Sequence, residues 1–133
     1  MKITIQSDIA KAKSLIQISK ITLDRLNETE MEKYPSNTLK DYYDIIKGLM
    51  EALLYLEGVK MKGESAHYET IEHVCEKYKL GEASREFLQG MRDYRNRISY
   101  EGFNVQPNYV KQNKKKINSI IESLLKLVNE KLK

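Results

Sequence analysis

Cysteine, proline and tryptophan are scarce in this chain, and each scarcity excludes something. Cys75 is the only cysteine among 133 residues. An internal disulfide is therefore impossible, and a cysteine-clustered zinc site is excluded. Cys75 lies beside a helical apolar stripe, which reads as a buried structural thiol rather than a nucleophile. No run of about 18 apolar residues is present, so no segment is expected to span a bilayer. The N-terminal stretch Met1–Asp8 turns polar too soon for a secretory signal, and a cytoplasmic chain is expected. No Gly-x-x-x-x-Gly-Lys-Ser/Thr phosphate loop occurs, nor any motif joining Cys75 to a histidine. Of the two histidines, His67 is expected at the edge of the core, bonded to a neighbouring helix, and His73, off the stripe, is expected to be exposed. Glu64 and His67 have the Glu-x-x-His spacing of di-iron bundles, but no second such pair exists. No metal or other cofactor is expected.

What the chain does hold is helix. Hydrophobic residues make up 41% of it, enough for one core in a single domain over 1–133. Ile5, Ile9, Ala12, Ile16, Ser19, Leu23 and Leu26 repeat at alternating spacings of four and three, one helix face over more than five turns. A second helix is expected from Asn37 or Thr38, with Thr38-Leu39-Lys40-Asp41 as a capping-box-like start. It carries two apolar rows: Tyr42, Ile45, Leu49, Ala52, Leu56 and Val59, then Ile46, Met50 and Leu53 beside them. Gly58 or Gly63 ends it. A third helix runs from an N-cap at Ser65 to about Tyr78, with His67, Ile71, Val74 and Tyr78 on one face and Gly81 as its left-handed cap. The fourth spans roughly Glu82 to Ile98, followed by a loop over 99–107. The fifth runs from about Asn108 to Leu132. No segment alternates in the manner of a strand. The fold class is all-α, an up-and-down bundle of about five helices.

The net charge of +4 is unevenly placed. Residues 92–116 carry Arg92, Arg95, Arg97, Lys111, Lys114, Lys115 and Lys116 against Asp93 and Glu101, an excess larger than that of the whole chain. The stretch Arg92-Asp93-Tyr94-Arg95-Asn96-Arg97-Ile98-Ser99-Tyr100-Glu101-Gly102-Phe103 is the strongest local signal. Guanidinium forks match phosphate geometry, and the rings of Tyr94, Tyr100 and Phe103 suit base stacking. Arg95 lies at the margin of the apolar stripe, where a partly buried head needs a partner. Glu51, set within Leu49-Met50-Glu51-Ala52-Leu53-Leu54, is the expected carboxylate. Arginine-rich helix ends with structural tyrosines also occur without any ligand, so the cluster is equally compatible with a scaffold.

Arg95-Asn96 followed by Tyr100, in a helical chain of this length, resembles the signature of the HEPN domain. The segment Tyr42–Leu56 is similar to the second helix of prokaryotic members. The resemblance implies a four-helix bundle core and a homodimer whose two Arg-x4-6-His motifs face one cleft. It implies metal-independent ribonucleases, toxins of toxin–antitoxin pairs, or companions of minimal nucleotidyltransferases. In this chain Tyr100 stands where the motif histidine is expected, and a phenol with a pKa near 10 is a poor base at pH 7. The resemblance thus implies RNA or nucleotide binding through Arg95, Asn96 and Tyr100, and the charge cluster extends the attraction to Arg92, Arg97, Lys114 and Lys115. The alternatives are a ribonuclease using Arg95 with Tyr100 or His67, and a non-catalytic dimerisation scaffold. The two apolar rows of helix two are expected to exceed what one bundle can cover, and so to form the twofold interface.

Overall fold

A computed structural model describes residues 1–133. Five helices form the body: α1 (Ile9–Asn27), α2 (Pro35–Glu57), α3 (Ala66–Lys77), α4 (Glu82–Glu101) and α5 (Pro107–Lys131). Two short strands, β1 (Lys2–Thr4) and β2 (Val59–Met61), pair antiparallel with Ile3 opposite Lys60. The fold class is all-α, as expected, and only this short strand pair escapes the sequence reading. Three residues are too few to display an alternating pattern, and Ile5 continued the α1 stripe in sequence although it lies outside the helix. Asp8 caps α1, its carboxylate accepting from the Lys11 N–H at 2.9 Å.

Helix α2 is the axis of the bundle, with α1, α5, α4 and α3 all packed on it. It starts at Pro35, earlier than the capping-box reading placed it. Proline lacks the N–H that would be orphaned at that position and has helical φ already. It ends at Gly58, whose φ of +75° is the left-handed cap, and a Cβ there would lie 2.8 Å from the Ile5 carbonyl oxygen. α1 runs antiparallel along α2: Ser19 Oγ donates to the Ile45 carbonyl at 3.4 Å, and Arg25 pairs with Asp41 at 2.6 Å. Buried side chains from every helix join one core cluster.

From Tyr42 to Leu53 both apolar rows of α2 are covered within the single chain, while Leu56 is half-buried and Val59 belongs to β2. Ile45, Ile46, Leu49, Met50, Ala52 and Leu53 are all 2% exposed or less. The expectation that this surface forms a dimer interface is corrected, because four helices around one axis leave it no free side. The larger exposed apolar side chains lie elsewhere, at Ile9, Ile18, Ile21, Tyr68 and Tyr100 among others.

Two further boundaries differ from the sequence reading. α3 is closed by Lys79 at φ +55°, while Gly81 precedes α4 as its N-cap. α4 continues to Glu101 and is capped by Gly102 at φ +67°, so the whole segment from Arg92 to Tyr100 is helical. The glycine, not the change in polarity after Ile98, sets the end. No helix is long and apolar enough to cross a membrane.

Candidate anion site between α2, α3 and α4

A helix advances about 100° per residue, so Arg92 and Arg95 share a side of α4, while Tyr100 lies about 140° around from Arg95. Leu88 and Met91 mark the buried side. Arg95 sits at its margin and faces α2; Arg92 sits next to it and faces α3. Tyr100 points outward and is 80% exposed. Within one chain, Arg95 and Tyr100 therefore do not converge. Asn96 is half-buried between them and makes no side-chain hydrogen bond.

The five arginines differ sharply in how they are satisfied. Arg25 pairs with Asp41, Arg97 with Glu101 at 3.9 Å, and Arg85 with Glu72 at 3.1 Å and also with Glu82. Arg92 has no carboxylate partner, its Nε donating to the Gln89 side-chain oxygen at 2.9 Å. Arg95 has only Asp44, 3.8 Å away and beyond hydrogen-bond reach. The Arg95 Nε is buried with no acceptor. Glu51, the expected partner, lies instead 3.8 Å from Lys47. Asp44, Lys47 and Glu51 form one polar row along α2, and the helix crossing brings Arg95 to the Asp44 end of it.

Beneath this row lies Tyr43, 2% exposed, whose hydroxyl also has no partner. Burial, opposed by Arg92 and Arg95, holds its phenol at a pKa of about 12. It is thus a neutral O–H donor at pH 7. Tyr43 Oη, Arg95 Nε and the outer nitrogens of Arg92 are donors without acceptors in one neighbourhood. A buried donor left unpaired costs about 1–3 kcal/mol. A bound anion would supply acceptors to the outer guanidinium nitrogens, with the Arg95 Nε and the Tyr43 hydroxyl lying behind them, closed to solvent.

The histidines exchange their expected surroundings. His67, read as an inward residue, is exposed in the first turn of α3. It lines a cleft of about 130 Å³ with Glu51, Tyr55, Met61 and Thr70. Its pKa is lowered, first by the partial loss of solvent on the ring's cleft side and next by Lys47, with Glu51 opposing. His73, read as a surface residue, is bonded at 3.0 Å to Glu57, a carboxylate only 3% exposed that also binds Lys77 and Tyr78.

The basic excess of residues 92–116 does not gather on one face. Arg97 lies on the opposite margin of α4, its guanidinium 4.1 Å from the centre of the Phe103 ring. Lys114 lines a separate cleft of about 790 Å³ between the α1–α2 connection and the start of α5, beside Met31, Glu32 and Lys33. Lys115 is exposed on α5. Sequence reasoning missed Tyr43, Asp44, Lys47 and Tyr68. Tyr43 shares a helical row with Ile46 and Met50, and the 44–47–51 spacing marks the polar row, so both could have been read. Tyr68 gave no such signal.

Comparison of the chain with protein-family models, curated proteins and solved structures finds no match.

Proposed function

We propose that the chain is a HEPN-like module that binds RNA or nucleotide through phosphate. The site is built by Arg92 and Arg95 of α4 with Tyr43 of α2. The observation that carries this reading is the set of donors lacking acceptors: Arg92 without a carboxylate, and the buried Arg95 Nε and Tyr43 hydroxyl without partners. Asp44 and Glu51 border the site and temper its charge, favouring a ligand that brings hydrogen-bond acceptors in a fixed geometry over a diffuse polyanion. Pairing with a second copy, and association with a minimal nucleotidyltransferase or a toxin–antitoxin system, belong to the same proposal and rest on the resemblance. Tyr100 is the residue that such a self-interface would cover.

Replacing Arg95 by alanine is expected to weaken binding of a short RNA about tenfold or more and to reduce its salt dependence by about one charge. Fluorescence anisotropy at two or more salt concentrations measures both. Unchanged affinity and slope would overturn the proposal.

One observation favours a second reading, a metal-independent endoribonuclease. The pKa of His67 is lowered, first by desolvation and next by Lys47, with Arg95 and Arg92 adding smaller contributions, and a neutral imidazole can take the proton of a 2′-hydroxyl. Cleavage of RNA in chelator, abolished by both Arg95→Ala and His67→Ala, is the result this reading requires. Intact RNA after prolonged incubation dismisses it.

A further inference from the structure

Beside the arginine pair lies an aromatic ring that the sequence reading left unused. Tyr68, in the first turn of α3, is 44% exposed. The Arg92 guanidinium carbon stands 5.6 Å from the centre of its ring. The ring lies off the interior face of α3, which Ile71, Val74 and Cys75 fill.

Ring and guanidinium are held together by one side chain. Gln89 donates to the Tyr68 carbonyl at 3.1 Å and to Glu72 at 3.0 Å, while its side-chain oxygen accepts from Arg92 Nε. Glu72 is itself fixed by Arg85 at 3.1 Å. Arg92 is thereby aimed through its single Nε bond, and its terminal nitrogens stay free. Tyr68 has its backbone anchored and its ring presented to solvent at the edge of the phosphate site.

Resting on the anion-site reading above, we infer that Tyr68 is a base-stacking platform, which makes the site selective for an unpaired nucleotide. The chemistry follows from what each group offers. The arginines take a phosphate, which every nucleic acid presents in the same form, with Tyr43 buried behind them. The Tyr68 ring takes the flat face of a base, which a duplex does not expose because its bases are already stacked on one another. Arg92, close to the ring and to the phosphate site, contributes to both, by cation–π contact and by hydrogen bonding. Any base has a π-face, so the preference is for single-strandedness and not for sequence.

The test compares three probes on the full chain: a single-stranded oligonucleotide of mixed sequence, an abasic oligomer of equal length, and a blunt duplex. Wild type is expected to bind the single strand most tightly. Tyr68→Ala is expected to lose about tenfold on the single strand, with abasic binding changed less than twofold. Tyr68→Phe, which keeps the ring, is expected to retain wild-type affinity. Loss of abasic binding in Tyr68→Ala, equal to the loss on the single strand, would show that the ring only supports the fold and would overturn the inference. So would a duplex bound as well as the single strand, or a Tyr68→Ala protein indistinguishable from wild type. In those three cases abasic binding that still depends on Arg95 leaves the anion site standing. Absence of binding to every probe overturns the anion site and the stacking platform together.

Discussion

A buried hydroxyl without a partner costs a fold about 1–3 kcal/mol, and Tyr43 carries one in a molecule whose other polar groups are largely satisfied. Deleting that hydroxyl separates folding from binding. Tyr43→Phe is expected to leave the melting temperature unchanged or raised, since the ring stays packed and the unpaired group is gone. The same change is expected to lower affinity for a phosphate ligand several-fold. A variant that is destabilised while binding normally would mean that the hydroxyl serves the fold through a buried water. Glu57 shows the opposite case, a buried carboxylate fully engaged. Burial, the largest influence, pushes its pKa up, but hydrogen bonds from Tyr78, His73 and Lys77 outweigh it and the net direction is down. A carboxylate lowered in the folded state contributes stability above its ordinary value of 4.5 and loses it as pH falls through the folded value. Thermal melts across pH 3 to 7 are expected to show this loss below about pH 4.5, with a shallower slope in Glu57→Gln.

At the scale of elements, α1 packs on α2 with a glycine at the contact. Gly48 faces Ser19, and a Cβ at Gly48 would stand 2.7 Å from the Ser19 Oγ. Gly48→Ala gains helix propensity of about 1 kcal/mol, but overpacking of a buried contact costs about 1–3 kcal/mol. Net destabilisation is expected, and Ser19→Ala in the same chain is expected to relieve it, since only the Oγ is in the way. Denaturant melts of the two single variants and the double variant measure the coupling; simple additivity would contradict it. The helices themselves were legible because Ala12–Ile16–Ser19–Leu26 and the two rows of α2 keep the 3.6-residue period over many turns. The β1–β2 pair was not, because three-residue strands carry no period and their pairing joins residues some 60 positions apart. Helix ends were legible where glycine takes a positive φ, as at Gly58, and misread where Lys79 does so instead of Gly81.

At the scale of the whole molecule, the candidate site was legible only in part. Arg92 and Arg95 stood out in sequence because they share a face, yet their surroundings depend on how α2 and α3 cross α4. That crossing brings Asp44 rather than Glu51 to Arg95, while the phase of α4 itself sets Arg97 on its far margin and Lys114 stands apart on α5. Periodicity reports which side of a helix is buried but not which neighbour covers it. The same limit applied to assembly, where the surplus apolar surface read on α2 is consumed inside one chain. A twofold pairing that covers the ends of α4 would bury Tyr100, so Tyr100→Arg is expected to convert a micromolar dimer into a monomer in sedimentation equilibrium. A wild-type monomer at that concentration removes the dimer from the proposal and leaves the anion site intact.

The site itself is tested most directly by the Nε–Hε signals of the five arginines in a nitrogen-15 NMR spectrum, followed while a short single-stranded RNA is added. The Arg95 and Arg92 signals are expected to move together and saturate with the ligand, while Arg25 and Arg85, held by their carboxylates, stay in place. Movement confined to Arg97, or no movement of Arg95 at saturation, would contradict an anion site between α2, α3 and α4.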